Sequence, residues 1–210
     1  MRVDDPQDAH YFDTTPSVAS KVAEYEFDGP SGRLKVASDT GVFSRGALDK
    51  ATAILIGHIH QGADLPAGDI VDVGCGAGPI ALALAQAHPS RTVWAVDTNE
   101  RAVSLTRTNA EVNGLTNIKA VTPDGFPQGT PLAAVWSNPP IRVGKQELHA
   151  LLELWLGRVT AGGSATLVVG RHLGADSLQK WLDSRGWPTT RLGSSKGFRV
   201  LRSNVTDAAG

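Results

Sequence analysis

Between residues 69 and 186 the sequence alternates short apolar runs with stretches of helical spacing, and this alternation limits the fold more than any other feature. DIVDV (69–73) reads as a buried strand, followed by a helix from about Pro79 to Ala87. RTVWAV (91–96) is a second strand, and NERAVSLTRTNAEVNG (99–114) a helix ending at Gly114. NIKAVT (117–122) and LAAVWS (132–137) are the third and fourth strands. KQELHALLELWLGRV (145–159) is a helix closed by Gly162-Gly163. SATLVVG (164–170) is the fifth strand and ADSLQKWLDSRG (175–186) the last helix. Repeated strand–helix units require right-handed crossovers, hence a parallel sheet with helices on both faces. The ending breaks the rhythm: TTRLGSSKGFRVLRS holds two strands joined by Gly193-Ser-Ser-Lys-Gly197, an antiparallel hairpin. The expected fold is therefore α/β, Rossmann-like and doubly wound, with seven strands that are mostly parallel.

Ahead of this core the pattern differs. Residues 1–20 are polar and read as an arm. YEFDGPSGRLKVAS reads as a hairpin turning at Asp28–Gly32, and GALDKATAILIGHIH as a helix through Leu48, Ala51, Ile54 and Leu55. The expected division is an arm, hairpin and helix over 1–66, a core over 67–203 and a disordered tail over 204–210. The N-terminus has no apolar signal core, no run of about 18 apolar residues exists, and the one cysteine cannot make an internal disulfide. A cytoplasmic protein without a membrane partner is expected. Asn204-Val-Thr206 fits a glycosylation pattern and is read as chance.

The chemistry starts at Asp72-Val-Gly74-Cys75-Gly76-Ala77-Gly78-Pro79, between the first strand of the alternation and its helix. Glycines let backbone approach a ligand closely, and Pro79 suits a first helical position. Asp97 ends the next strand, where a carboxylate can accept both hydroxyls of a ribose. Together they point to a nucleoside cofactor at the C-terminal ends of the strands. A dinucleotide site wants G-x-G-x-x-G facing a pyrophosphate. Here the spacing is G-x-G-x-G, and Asp72 is a poor neighbour for phosphate. The acid suits a cationic amino group, so S-adenosylmethionine (SAM) is favoured over NAD. Asp124-Gly125-Phe126 follows the third strand. Asp124 could accept from an adenine amino group with Phe126 near the ring, or the segment could be an ordinary Asp-Gly turn.

Asn138 follows the fourth strand, stiffened by Pro139 and Pro140. The lone pair of an exocyclic base nitrogen is delocalised into the ring and is a weak nucleophile. Its N–H groups need acceptors that hold the amine and favour a more tetrahedral nitrogen. The Asn138 carbonyl and a neighbouring backbone carbonyl can do this, and the rest is positioning. The base has to be presented unstacked.

D-V-G-C-G-A-G, Asp97, Asp124 and N-P-P-I (138–141) together resemble a class I SAM-dependent methyltransferase of the N-P-P type. More narrowly, the chain resembles the methyltransferase small domain family, which includes small-subunit ribosomal RNA guanine-N2 methyltransferases. The resemblance spans about residues 10–203. It includes His10-Tyr11-Phe12, Gly41-Val42-Phe43-Ser44 with Leu48-Asp49, N-P-P-I-R-x-G-K, and Lys196-Gly-Phe-Arg199-Val-Leu201. Relatives acting on adenine N6, cytosine N4 or glutamine commonly carry an aromatic after N-P-P. Ile141 in that position implies guanine N2. The resemblance implies a cofactor site of Asp72, Gly74, Cys75, Gly76, Gly78, Asp97, Thr98, Asp124, Gly125 and Phe126, with Phe43, Ser44 and Asn138 beside it. It implies Asn138, Pro139 and Pro140 at the reacting amine and Ile141, Arg142, Lys145, Lys196 and Arg199 toward the RNA. Tyr11 covers the pocket or anchors the arm. Bacterial members often carry a second, degenerate domain, so RNA recognition here is expected from other surfaces.

The charge distribution bears on that partner. Residues 1–139 sum to −6 and residues 140–202 to +6. The basic segment is either a phosphate-facing surface or a scatter of solvated cations. Cys75 reads as a small filler against the cofactor, with no base spaced to activate it. His58 and His60 lack a third ligand, so no metal is expected. Trp155 and Trp181 fall on apolar helix positions, and a monomer is favoured. The rival readings are an N-methyltransferase of protein glutamine or a small molecule, a noncatalytic SAM-binding module and, more distantly, an NAD-dependent oxidoreductase.

Overall fold

The computed structural model describes residues 19–61, 64–139 and 144–206. The elements are β1 (Ala23–Gly29), β2 (Gly32–Ser38), α1 (Lys50–Ile56), β3 (Asp69–Val73), α2 (Pro79–Ala87), β4 (Val93–Val96), α3 (Glu100–Val112) and β5 (Ile118–Val121). After these come β6 (Leu132–Ser137), α4 (Lys145–Leu156), β7 (Val159–Gly170), α5 (Ala175–Ser184), β8 (Thr189–Ser195) and β9 (Phe198–Asn204). A seven-stranded sheet runs in the order β5-β4-β3-β6-β7-β9-β8, with β1 and β2 as a separate hairpin. Strands β3 to β7 pair in parallel, and β9 joins β7 and β8 antiparallel.

The apolar runs in β3, β4 and β6 are explained by burial on both sheet faces. Ile70, Val93, Ala95, Ala134 and Trp136 face one layer with α1, α2, α3 and the hairpin. Val71, Val73, Trp94, Val96 and Val135 face the other, with α4 and α5. The chain crosses from one side of β3 to the other between β5 and β6. That switch point opens a crevice at the strand C-termini, where ligands bind in open α/β sheets.

The hairpin is fixed to the core by backbone as well as by apolar contact. Strand β2 pairs only with β1, which leaves its other edge unpaired. Asn109 of α3 and Asn113, the C-cap of that helix, cover that edge. Asn109 Oδ1 accepts from Ala37 N at 2.8 Å, and its Nδ2 donates to Ala37 O and to Ala77 O, each at 2.8 Å. Asn113 Oδ1 accepts from Lys35 N at 2.9 Å and Nδ2 donates to Lys35 O at 2.7 Å. Spaced four apart on one helix face, the two amides meet two residues spaced two apart on one strand edge.

Two boundaries differ from the sequence reading. Helix α1 is only seven residues long, because Gly57 caps it before the apolar spacing runs out. Gly162 and Gly163 do not close α4, which ends at a Gly157 cap; they lie inside β7. A Cβ on Gly163 would stand 2.6 Å from Ala133 O, so the glycine lets β7 pass β6 at the register shift there.

Candidate active site

The glycine loop is shaped by the ends of β3 and β4. Gly74 N and Cys75 N both donate to Val96 O, at 2.8 and 3.1 Å, which folds the chain back over β4. Gly74, Gly76 and Gly78 all have left-handed φ, at 75°, 56° and 87°. At Gly78 glycine is required twice over, since a Cβ would also meet Thr106 Oγ1 at 2.8 Å. Pro79 then opens α2.

Asp97 sits behind this loop. Its Oδ2 accepts from Gly76 N and its Oδ1 from Asn99 N, each at 2.9 Å. Burial pushes its carboxyl above the ordinary range. Asp72 lies deeper, with no exposed surface. Its Oδ2 accepts from Ala81 N at 3.1 Å, while Oδ1 has no hydrogen-bond partner. Burial, with the charge of Asp97 adding to it, raises Asp72 to about 8. The Cys75 thiol is pushed well up by burial and by the same two acids, which removes it as a nucleophile at neutral pH.

Asn138 follows β6 and faces α1. Ser137 Oγ donates to Val73 O at 2.7 Å, locking the ends of β6 and β3 together. Asn138 Nδ2 donates to Thr52 Oγ1 at 3.0 Å and Asp49 Oδ2 at 3.1 Å. Asp49 is the N-cap of α1 and accepts from Thr52 N at 2.9 Å. The Oδ1 of Asn138 makes no hydrogen bond among the described residues.

A small pocket joins these parts. It is lined by Gly74 to Ala77 with Pro79 and Ile80, by Asn138, Asp49 and Thr52, and by Tyr25, Phe43 and Ser44. Tyr25, on β1, is raised to about 12 by burial and the nearby Asp49 charge, so its phenol keeps its proton. Phe43 is 61% exposed. Its loop is pinned to the segment after Asp97. Asn99 Nδ2 donates to Gly41 O at 2.8 Å and Arg101 Nη1 to Thr40 O at 2.7 Å. Ser44 holds a left-handed φ of 59° and its Oγ donates to Ala47 O at 2.7 Å.

The residues singled out in the sequence do not all meet here. Gly74, Cys75, Gly76, Phe43, Ser44 and Asn138 line the pocket. Asp72, Gly78 and Asp97 support it from behind, and Pro139 follows it in the chain. Thr98 adds a second buried atom without a partner, its Oγ1. Asp124 and Gly125 form a one-turn helix beyond β5, with Asp124 exposed and outside the pocket lining. Phe126 corrects the expectation of a ring beside adenine. It is a core residue, packed edge-on between Trp94 and Trp155 at 5.1 Å from each, with Arg158 over its face. Arg199 is mostly buried and pairs with Asp176. Lys145 lines a second cavity between α4 and α5, and Lys196 is exposed at the β8–β9 turn. Tyr11, Pro140, Ile141 and Arg142 lie outside the described residues.

Asp49, Thr52 and Tyr25 were not assigned to the site from sequence. In the sequence Asp49 stands only with Leu48 among the residues that carry the resemblance, without a role, and its contact with Asn138 spans 89 residues. Among the described residues no group of His, Cys, Asp and Glu is arranged to hold a metal, and no helix is long and apolar enough to cross a membrane.

A family model for the methyltransferase small domain matches residues 33–202. A Bacillus subtilis protein described as uncharacterized, YbxB, is 34% identical over 197 residues, covering 92% of this chain and 97% of its own. The ribosomal RNA small subunit methyltransferase C of Pseudomonas paraeruginosa is 34% identical over 191 residues. The match covers 88% of this chain but 55% of that protein, so the chain spans about half the length of the relatives with that name. Among solved structures, the Thermus thermophilus 16S rRNA N2 G1207 methyltransferase, in complex with AdoMet and guanosine, superposes with a TM-score of 0.75. It is 20% identical and covers 90% of this chain and 52% of its own. A precorrin-8w decarboxylase superposes at 0.58 with 22% identity, covering 80% of this chain and 96% of its own. The architecture is thus shared by proteins described with different chemistries.

Proposed function

Because the chain belongs to the methyltransferase small domain family, and is a methyltransferase that uses SAM, we propose that its substrate is the exocyclic N2 of a guanine in small-subunit ribosomal RNA. The observation that carries this reading is Asn138. Its amide nitrogen is turned toward α1 and fully engaged there, which leaves the carbonyl oxygen as the free acceptor of a residue that lines the same pocket as the glycine loop. A primary amine on a base offers the N–H that such an oxygen can hold.

The described residues fit the cofactor. Asp72 Oδ1 and Thr98 Oγ1 are buried polar atoms without partners, at the ends of the two strands that frame the loop. Such atoms are costly unless a ligand completes them. The left-handed glycines leave backbone open at the loop surface. Gly74, Cys75, Gly76 and Gly78 would surround the methionine part, with the Asp72 carboxyl giving up its proton to pair with the cationic amino group. Asp97 and Thr98 would hold the ribose. Asp124 and Gly125, beyond β5, would serve the adenine end, and Phe43 and Ser44 the rim. When bound, the cofactor supplies an electrophilic methyl on a sulfonium leaving group, so no strong base is needed before attack. Asn138 Oδ1 accepts an N–H of the amine, fixes the nitrogen, and favours the pyramidal form whose lone pair is released from the ring. Pro139 and Pro140 limit the backbone motion of that acceptor. Such positioning is the main source of rate that a site without a base can offer.

RNA is the partner that the relatives named for ribosomal RNA support. Ile141, Arg142, Lys145 and Lys196 are assigned to its surface. Arg199 is a weaker candidate, since Asp176 already neutralises it. The amide of a protein glutamine presents the same kind of N–H and is the alternative outcome of the test. Nucleoside mass spectrometry of small-subunit ribosomal RNA, from cells with and without the gene, is expected to show the loss of one N2-methylguanosine. An Asn138→Ala copy should fail to restore it while still binding SAM. Full N2-methylguanosine in the deletion strain would overturn the guanine assignment.

A further inference from the structure

An asparagine amide is a poor specificity element when left alone. Its oxygen and nitrogen are nearly the same size, and a half-turn about the last side-chain bond exchanges an acceptor for two donors. A site that depends on an Asn acceptor therefore needs something to forbid the half-turn. The two protons on Asn138 Nδ2 have two partners, Asp49 Oδ2 at 3.1 Å and Thr52 Oγ1 at 3.0 Å. Asp49 offers an acceptor. The Thr52 hydroxyl can donate or accept, but it stands 3.3 Å from the same Asp49 oxygen and gives its proton there. Its lone pairs are thus left facing Asn138. Both partners present acceptors, both Nδ2 protons are used, and a turned amide would set Oδ1 against a carboxylate oxygen.

We propose that Asp49 and Thr52 are positioning residues that lock the Asn138 amide with its carbonyl toward the pocket, and that this lock makes the site select an N–H donor. The inference rests on the reading of Asn138 as the amine acceptor, but the lock itself can be measured without substrate. The device is compact because Asp49 also caps α1, accepting from Thr52 N at 2.9 Å. The helix start and the amide lock thus use one carboxylate oxygen. Helix α1 is itself seated in the core through Ala51, Leu55 and Ile56, which gives the lock a rigid base.

The test separates this role from simple support of α1. Glycine is a tolerated N-cap, so Asp49→Gly largely keeps the helix start. It removes the one oxygen that Asn138 Nδ2 and the Thr52 hydroxyl both use, and frees that hydroxyl to donate to a turned amide. Thr52→Val removes one acceptor at constant shape. The lock is read with protein labelled with 15N-asparagine. The Asn138 side-chain protons should exchange with solvent at least tenfold more slowly than those of an exposed asparagine, and that protection should be lost in Asp49→Gly. Wild-type exchange as fast as that of an exposed asparagine would overturn the lock.

The consequence is read in single-turnover transfer at saturating SAM and RNA, and in binding of target RNA carrying guanine or inosine, which lacks the N2 amine. Asp49→Gly should lower the transfer rate 10- to 100-fold and abolish the preference for guanine over inosine. Melting temperature should stay near wild type. Thr52→Val should lower the rate about fivefold. Retained guanine preference with a transfer rate within twofold of wild type in Asp49→Gly would overturn the selectivity claim. If wild-type protein transfers no methyl to guanine, the substrate reading fails, while the exchange contrast still decides the lock.

Discussion

A carboxyl group with no exposure to water is an unusual thing to keep under a glycine loop. Asp72 has one oxygen tied to Ala81 N and the other without a partner, and burial raises it to about 8. The sign of the consequence follows from linkage. Between the ordinary value of 3.8 and about 8, the folded state holds a proton that the unfolded state has released. Stability from this group is therefore greatest below about pH 4 and is lost as pH rises toward 8. Asp72→Asn mimics the protonated form and removes that loss. The variant should be more stable than wild type at pH 8, on the order of a few kcal/mol, and nearly equal at pH 4. Urea unfolding at the two pH values checks this; an equal offset at both would show that Asp72 is ionised in the fold. The same substitution should weaken SAM binding, since it deletes a carboxyl that a cationic amino group would draw into its charged form. An acid that costs stability without ligand and regains it with ligand is the kind of local conflict expected at a functional site.

At the scale of elements, the hairpin and α3 form one wall of the pocket because two side chains complete a strand edge. Asn109 is 1% exposed and its amide serves Ala37 N, Ala37 O and Ala77 O. It thus ties the hairpin that carries Tyr25 to the loop that carries Gly76. Asn109→Ala leaves one buried and two part-buried backbone groups unpaired and should cost about 2–4 kcal/mol, since only the buried one bears the full penalty of roughly 1–3 kcal/mol. Asn113→Ala acts at the more exposed Lys35 and should cost under about 1 kcal/mol. Amide exchange at Ala37 N should quicken in the first variant far more than in the second, and equal effects would deny the clip.

Neither asparagine drew notice in the sequence, where each is one polar residue on a helix face. Periodicity shows which residues turn inward on an element, and it made the seven-stranded order of strands and helices readable. It does not show which element lies across from a polar side chain. The Asp49–Asn138 contact was hidden for the same reason. Phe126 was misread for a related one. A Phe after a strand and an Asp-Gly turn can fold up to a crevice or down to a core, and Trp94 and Trp155 decided it. Gly162 and Gly163 looked like a helix stop because close approach of β6 to β7 leaves no local mark.

For the whole molecule, the charge contrast in the sequence overstates the cations free to meet RNA. Residues 140–202 carry a net +6, but folding engages several of their cations internally. Arg158 lies over Phe126 and Trp155, Arg185 pairs with Glu153 at 2.9 Å, and Arg191 and Arg199 both pair with Asp176. Lys145, Arg171 and Lys196 are exposed and make no ion pair among the described residues. All three stand near the strand ends that open on the crevice: Lys145 begins α4, Arg171 follows β7, and Arg171 N donates to Gly197 O beside Lys196. Each phosphate neutralised releases counterions, so the logarithm of affinity should fall with the logarithm of salt by about 0.7 to 0.9 per contact. With RNA as partner, Lys145→Ala, Arg171→Ala and Lys196→Ala should each flatten that slope by nearly one contact and weaken binding most at low salt. Arg185→Ala and Arg191→Ala should leave the slope unchanged, because their charge is already balanced within the fold. Titrations of small-subunit RNA fragments at several salt concentrations measure this. Equal slope changes at all five positions would mean that the field of the segment, rather than the three crest cations, guides the RNA.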